Sequence, residues 1–333
     1  MEQSILDALQ HSKIINAGTD YVKRLGNHFS IAMLNPICKF FSRPDVDGII
    51  GYKTYANCVI VMGDPLCNNP QDISALTYAF HTFCQNHYKN VIYVVTSESF
   101  TNWALDNTCT IALQIGNELI LDPRINYIVR SGRKASQLRN KYNQSVRAGL
   151  IVHEYIQHDI QMEKEIEKVG ASWLNNRSGI QLFNLPINIF AGRANKRWFY
   201  AQYHNKIVGV LILNKLDFHQ GWVLNVVMLT SDAPNTTSEF LVLNMLETLR
   251  TEQCPFFSVG TLPTHQLGHI EGFGAIGKHL VKCSFTMTRL LQLHKRQRYW
   301  QKFQPETKPS FLLFSKPRIR IREVWAIARA FSS

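Results

Sequence analysis

The chain has 333 residues, of which 45% are hydrophobic and 18% charged, so it can bury a full core, and its length favours two domains. Its formal net charge of +12 predicts an anionic partner, whether a nucleic acid, a lipid surface or an acidic substrate. No apolar run approaches the roughly 20 residues that span a bilayer, which excludes the transmembrane class.

The compartment is predicted from the amino terminus and the cysteines. The first residues carry an early acid and no long apolar segment, unlike a signal peptide. The seven cysteines lie mostly in apolar runs and form no Cys-x-x-Cys pair, which indicates buried, reduced thiols. We therefore predict a cytoplasmic protein, with peripheral contact to the inner face of the membrane as an alternative.

The first third of the chain alternates strands and helices. Apolar patterns predict strands over 48–55, 58–62, 91–95 and 108–113. Helical periodicity predicts one helix over 72–84, opening on Asp72, and a second beginning at Ser97.

A strongly basic helix follows. Residues 123–153 contain seven Arg or Lys and no acid. An apolar stripe repeats at helical spacing through Ala135, Leu138, Tyr142 and Val146, and Gly149 is a C-terminal stop. Residues 272–333 add thirteen basic and two acidic residues, so the positive charge is segregated, and this favours a dedicated anion site.

The alternation then starts again. The patterns predict helices over 159–173 and 237–249. Strands are predicted over 198–202, 207–213, 221–229 and 256–260, with a turn at His204-Asn205. The sequence therefore predicts two similar mixed α/β units flanking one cationic helix.

Four motifs carry a resemblance to a known family. They are Gly63-Asp-Pro-Leu-Cys67, Arg147-Ala-Gly-Leu150, Asp232-Ala-Pro-Asn235 and Tyr299-Trp-Gln-Lys-Phe-Gln-Pro-Glu306. In order and spacing they resemble the soluble C-terminal domain of phosphatidylglycerol lysyltransferases, over about residues 45 to 315. Two stretches depart from the pattern known for the lipid-aminoacylating branch, because charged pairs are missing at Asn225, Met228, Lys308 and Ser310.

The resemblance implies an α+β fold of two tandem GNAT-like domains, the acyl-CoA N-acyltransferase fold, with mixed sheets joined by the basic helix. We place the N-terminal domain at 1–130, the connecting helix at 131–150 and the C-terminal domain at 151–333. The implied protein is a stand-alone transferase without the family's membrane-embedded half. It would move an aminoacyl group from charged tRNA to a lipid headgroup, such as phosphatidylglycerol, or to another amine or hydroxyl acceptor, without a cofactor.

Aminoacyl transfer needs a fixed cation or donor to stabilise the tetrahedral oxyanion, because the tRNA ester is already activated. Lys302 is the candidate cation, and Glu239 or Glu306 the carboxylate near the acceptor. Alternatively, Lys302 is a solvated surface lysine, and Glu239 complements the dipole of its helix.

The candidate tRNA-binding residues are cations of the basic helix and one near the carboxyl end: Arg130, Arg133, Lys134, Arg139, Lys141, Arg147 and Arg298. The helix could equally lie on anionic lipid or be a solvated connector. In the tail, Tyr299, Trp300 and Phe303 either stack on bases or form one core-facing side of a helix. Arg318, Arg320 and Arg322 would form a basic row in an extended segment.

Other motifs fail on context. The glycines of 272–277 lie too far from a strand to be a dinucleotide fingerprint, and His265, His269 and Glu271 lack a third histidine, so no metal site is predicted. The strand–helix junctions lack the Gln/Arg-x-x-Gly-x-Gly/Ala loop that holds acyl-CoA. An acyl-CoA-dependent N-acyltransferase and a non-catalytic RNA-binding or membrane-binding protein remain alternatives, and the oligomeric state is not predicted.

Overall fold

The computed structural model describes residues 18–176, 189–263, 270–271 and 298–332, except residues 19, 28, 35, 36 and 88. Within this part of the chain, thirteen strands form one continuous mixed sheet. The strands before the basic helix are β1 (Lys39–Arg43), β2 (Val46–Tyr55), β3 (Cys58–Met62), β4 (Leu66–Cys67), β5 (Asn90–Thr96) and β6 (Ile111–Leu121). Those after it are β7 (Ile151–Tyr155), β8 (Lys196–Tyr203), β9 (Lys206–Leu216), β10 (Gly221–Leu229), β11 (Phe257–Pro263), β12 (Ile270–Glu271) and β13 (Glu306–Phe314).

The structure contains the five predicted helices and a sixth, α6, that was not predicted. They are α1 (Ile73–Asn86), α2 (Glu98–Asn107), α3 (Arg133–Arg147), α4 (Ile160–Asn175), α5 (Thr237–Thr251) and α6 (Ile321–Ser332). In the described ranges, none of the helices has both the length and the apolar character required to cross a bilayer.

Two units of similar design are joined edge to edge. In the first unit the antiparallel strands β1, β2 and β3 lead through α1 to β5, which is parallel to β3. In the second unit β8, β9 and β10 lead through α5 to β11, which is parallel to β10. Because β11 also pairs antiparallel with β6, the predicted pair of sheets is one continuous sheet.

The last strand does not stay with the second unit. β13 lies between β5 and β6 and is antiparallel to both. Its residues Phe311, Leu313 and Phe314 are all buried, as expected for a central strand covered on both faces. The predicted domain boundaries at 1–130, 131–150 and 151–333 stay a prediction. They assign β13 and α6 to the second domain, whereas both elements pack on the first unit.

Several local predictions are confirmed. His204 and Asn205 have φ of 48° and 60°, the left-handed turn that matches the twist of the β8–β9 hairpin. Helix α3 stops at Gly149, whose φ is +81°, and the Leu150 amide donates to the Ser145 carbonyl at 3.0 Å.

Two predicted features are wrong. The apolar stripe of α3 does not include Val146, which is 52% exposed. Ser145 is buried in its place, because its hydroxyl forms a hydrogen bond with Thr236. The tail is not one extended segment, because helix α6 begins at Ile321 and packs its small Ala326 and Ala330 onto the first unit.

Candidate functional site

The strands β10 and β11 part from each other beside the site, and we call this divergence the opening. These parallel strands pair only at Trp222–Phe257 and Val223–Ser258. Beyond those positions β10 follows β9, whereas β11 follows β6, so the two strands diverge. In the first unit, by contrast, β3 and β5 pair along the whole of β3. Crevices outside the carboxyl ends of parallel strands are where ligands of α/β sheets bind, and α5 begins at this one.

The first turn of α5 places a buried carboxylate at the opening. Glu239 is 4% exposed, and burying a carboxylate is costly unless it is paired and hydrogen-bonded. Both conditions hold, because one carboxylate oxygen accepts from Lys302 Nζ at 2.5 Å and the other from the Ser238 hydroxyl at 2.8 Å. The two residues predicted as cation and carboxylate are therefore in direct contact, although 63 positions separate them in the chain.

Lys302 is held by a short, well-anchored turn. It lies in the 3-10 helix Gln301–Phe303, between Trp300 at 5% exposure and the fully buried Phe303. The Lys302 side chain keeps 24% of its surface accessible, and its ammonium lies 4.5 Å from the centre of the Tyr299 ring. The aromatic residues thus pack into the core, as one reading of their spacing predicts, and hold a cation that solvent can reach.

The Tyr299 hydroxyl adds a polar group to the cluster. It is buried close to Ser238 and makes no hydrogen bond of good geometry within the described part of the chain. Burial, and secondarily the charge of Glu239, raise the pKa of this phenol, so it stays protonated and can donate. We define the Lys302 cluster as Ser238, Glu239, Tyr299 and Lys302.

Helix α3 packs against the segments that carry this cluster. The Ser145 hydroxyl donates to Thr236 Oγ1 at 2.7 Å, immediately before α5 begins. The ring of Tyr142 lies 5.1 Å from that of Phe240 on α5, and Tyr127 ahead of the helix meets Phe303 at 6.2 Å. The basic helix is therefore fixed beside the Lys302 turn.

The outward face of this region is positively charged. Its members lie on or just before α3, and none forms an ion pair within the described residues: Arg130, Arg133, Lys134, Lys141 and Arg147. Arg133, Lys134 and Arg147 are exposed, and Arg130 lies over the Tyr127 ring at 5.8 Å. Because no acid among the described residues neutralises these five cations, they can meet an external polyanion.

Arg139 has a different environment. Its guanidinium donates to the Ile128 carbonyl at 2.8 Å and to the Arg130 carbonyl at 2.9 Å. These bonds hold the turn that leads into α3, so a structural use of Arg139 stands beside the predicted anion contact. Periodicity alone could not distinguish it from its neighbours, because its acceptors lie outside the helix.

The remaining predicted residues lie apart from the cluster or at its rim. Glu306 is exposed at the start of β13, and its carboxylate is 3.8 Å from Lys308 Nζ, so it makes its ion pair there. Arg298 is exposed just before Tyr299.

His265, His269 and the glycines of 272–277 lie outside the described residues. Within the described residues no group of three or more His, Cys, Asp or Glu side chains has the arrangement of a metal site.

The four positions that depart from the family pattern make uncharged or surface contacts. Met228 is fully buried, and the Ser310 hydroxyl lies 3.0 Å from that of Thr261. Asn225 donates to the Asn214 side chain at 3.2 Å, while Lys308 pairs with Glu306. The Lys302–Glu239 pair does not depend on any of these contacts.

A cavity of about 340 Å³ was not predicted from the sequence. Its floor is β6 and β13 and its wall is α2, with these lining residues: Glu98, Thr101, Asn102, Leu105, Ala112, Gln114, Asn117, Thr307, Pro309 and Phe311. Thr307 lies five positions after Lys302 in the chain. The Lys302 side chain does not line this cavity. No sequence signal could have identified it, because β13 joins β6 only through long-range pairing.

Known proteins are similar to this chain in sequence and in fold. The model of the family described as "Phosphatidylglycerol lysyltransferase, C-terminal" matches residues 21–314. A phosphatidylglycerol lysyltransferase of Staphylococcus aureus (strain MRSA252) is 20% identical over 302 residues, which is 87% of this chain and 34% of that protein. That of Staphylococcus xylosus is 21% identical over 309 residues with the same coverage. The chain thus spans about a third of the length of these curated relatives.

Solved structures give the fold. The C-terminal domain of a putative lysylphosphatidylglycerol synthetase from Agrobacterium fabrum superimposes with a TM-score of 0.73 at 18% identity, covering 92% of this chain and 93% of that one. L-PGS from Bacillus licheniformis also gives 0.73, at 16% identity, covering 96% and 97%. These similarities confirm the predicted α+β fold of two tandem units with mixed strands. Because the family model matches most of the chain, the protein belongs to the phosphatidylglycerol lysyltransferase C-terminal family.

Proposed function

We propose that this protein is a transferase that moves an aminoacyl group from charged tRNA to a hydroxyl or amine of a lipid headgroup. The observation that carries the proposal is the packing of the basic helix α3 against the start of α5, which carries Ser238 and Glu239 of the Lys302 cluster. A reachable ammonium, held by a buried carboxylate, lies beside a face of cations that have no acidic partner among the described residues. A phosphate-binding surface next to a fixed cation is the combination that aminoacyl-tRNA chemistry requires.

The reaction needs positioning and one stabilised charge. The acceptor oxygen or nitrogen bonds to the ester carbonyl carbon, whose oxygen takes up negative charge next to the Lys302 ammonium. The intermediate then expels the ribose oxygen of the tRNA. The proton lost by the acceptor ends on that oxygen, so no cofactor is consumed. Electrostatic stabilisation of such an oxyanion is often the largest single contribution to rate.

Glu239 acts as a positioning residue in this scheme. At 4% exposure it is too enclosed to meet a lipid headgroup, but it fixes Lys302 Nζ at 2.5 Å. The Tyr299 hydroxyl is buried as well, and its ring lies 4.5 Å from the Lys302 ammonium, so Tyr299 also acts on the position of that cation. Glu306 is exposed and lies 3.8 Å from Lys308 Nζ; its place near the acceptor stays a prediction that the step above does not use.

One local observation separates this function from acyl-CoA chemistry. A helix N-terminus binds phosphate through free backbone N–H groups and its positive dipole. At the start of α5 the Pro234 residue has no N–H, its carbonyl accepts from Thr237 at 2.9 Å, and the Glu239 carboxylate occupies the first turn. A pyrophosphate placed there would find one of these N–H donors absent and another already bonded.

The acceptor class follows from the relatives, which are called phosphatidylglycerol lysyltransferases. We therefore propose phosphatidylglycerol as the first acceptor to test. Total tRNA charged with radiolabelled amino acids is incubated with the protein and with vesicles of phosphatidylcholine, with or without phosphatidylglycerol. We expect label in the lipid fraction only when phosphatidylglycerol is present.

Controls separate the alternatives. Coenzyme A should not raise the melting temperature, and a clear rise would support the acyl-CoA alternative instead. Salt-sensitive tRNA binding without label in any lipid or soluble acceptor would identify a non-catalytic RNA-binding protein and overturn the transferase proposal.

A further inference from the structure

Helix α6 exposes apolar side chains on a folded, well-packed element. Ile321 is 84% exposed, Val324 is 54% exposed and Trp325 is 50% exposed. Three large apolar residues within five positions of one short helix form a patch rather than scattered surface residues.

The opposite side of α6 is firmly attached. Ala326 and Ala330 are buried at 0% and 2% exposure, and the buried Lys53 ammonium donates to the Ala330 carbonyl at 3.0 Å. Glu323, 3% exposed, accepts from the Asn90 side chain at 2.9 Å and from the Arg320 amide at 2.8 Å. The helix is thus held against the first unit, with its apolar patch facing outward.

Cations surround this patch. The segment 316–329 carries five of them: Lys316, Arg318, Arg320, Arg322 and Arg329. Its one acid, Glu323, is buried and engages Arg322 Nε at 3.0 Å. Arg329 lies over the Trp325 ring at 5.7 Å. The accessible surface of the segment therefore combines aliphatic groups, an indole and positive charge, without an exposed carboxylate.

We propose that the outer face of α6, with the basic segment before it, docks on the surface of an anionic phospholipid bilayer. Amphipathic helices with Trp and aliphatic residues between basic side chains lie in the plane of the interface, where apolar area and attraction to anionic lipid act together. Trp is enriched at that depth, and each Lys or Arg near an anionic surface adds about 1 kcal/mol, or roughly five-fold in binding. The charge complementarity selects a bilayer over a second, equally basic copy of this chain.

The docking surface is linked rigidly to the Lys302 cluster. Strand β13 runs from just after the Lys302 turn to just before the basic segment, and strands pair with it on both sides. Its nine residues span roughly 30 Å at the usual rise per residue. The proposal deepens the lipid-acceptor function, but it requires binding alone, so each can fail without the other.

The test is co-sedimentation of the full chain with vesicles, without tRNA. We expect binding to phosphatidylcholine vesicles that contain phosphatidylglycerol and little binding to phosphatidylcholine alone. Arg318→Gln with Arg320→Gln should weaken binding roughly 25-fold, from about five-fold per cation. Trp325→Ser should weaken it at least about ten-fold, because half of an indole is removed from the interface.

Matched controls keep the outcome interpretable. Phe218→Ser removes another exposed aromatic, 59% exposed on the β9–β10 turn, and should leave vesicle binding unchanged. All four side chains are exposed, so melting temperatures should agree among the variants. Equal vesicle binding by wild type and Trp325→Ser would overturn the proposal. So would a dimer in light scattering that Trp325→Ser converts to a monomer, because a second copy would then cover the face.

Discussion

The sharpest quantitative expectation concerns the salt dependence of tRNA binding. Arg133 and Lys134 are exposed at the start of α3, and neither has an ionic partner in the described part of the chain. Arg139, six positions after Arg133, donates instead to the Ile128 and Arg130 carbonyls. The double variant Arg133→Gln/Lys134→Gln therefore removes two of the proposed phosphate contacts, whereas Arg139→Gln removes two hydrogen bonds to backbone carbonyls.

The size of the effect follows from counterion release. Five available cations give a log–log slope of at most about −4.5 on a duplex, and the double variant should reduce this to about −2.7. Between 50 and 200 mM salt, wild-type binding should then fall roughly 500-fold and that of the double variant roughly 40-fold. Arg139→Gln should keep most of the slope but lose about 1–2 kcal/mol of unfolding free energy, since two charge-assisted hydrogen bonds are removed from a half-buried site.

Fluorescence anisotropy of labelled tRNA over a salt series measures the slopes, and urea unfolding measures the stabilities. Identical slopes for wild type and Arg133→Gln/Lys134→Gln would refute the assignment of α3 to tRNA. A large loss of slope with unchanged stability in Arg139→Gln would show that the role assigned here to Arg139 is wrong.

Two further predictions concern the folded state. Burial lowers the pKa of His81, 7% exposed and 3.0 Å from the Tyr93 hydroxyl, from 6.5 to about 4. The unfolded chain binds this proton first as the pH falls, so urea unfolding should show stability falling from pH 6.5 to 4 by up to about 3 kcal/mol. In His81→Gln that part of the decline should vanish, and an unchanged profile would contradict it. Ser145→Ala should cost about 1–3 kcal/mol in the same assay, because it leaves the buried Thr236 hydroxyl unpaired, whereas exposed Ser131→Ala should cost almost nothing.

Local structure could be predicted well, because local patterns encode it. Alternating apolar residues predict β8 and β9, and the His204-Asn205 pair predicts the turn between them. The basic helix, its stop at Gly149 and the repeated order of elements were likewise readable. The sequence also indicates Lys302 and Glu239 individually, but not their direct contact.

The rest depends on contacts between distant segments. Pairing of β13 with β5 and β6 joins residues about 200 positions apart, and no periodicity reports such a partner. Arg139 differs from Arg133 because its guanidinium bonds to carbonyls of the 128–130 turn, whose position helical spacing does not report. Ser145 replaces Val146 in the interior because a hydroxyl on the neighbouring segment accepts its bond, which outweighs the apolar pattern.

The most direct measurement is the single-turnover rate of aminoacyl transfer to phosphatidylglycerol by Lys302→Ala, with the tRNA dissociation constant measured on the same sample. Lys168→Ala is the matched control, because its side chain is 70% exposed on α4, far along the chain from the cluster. Loss of one preorganised oxyanion-stabilising group should slow transfer by about 10²–10³ and leave tRNA affinity unchanged. Transfer by Lys302→Ala at the wild-type rate would contradict the central claim that this ammonium, presented beside the basic helix, stabilises the oxyanion that forms from the ester.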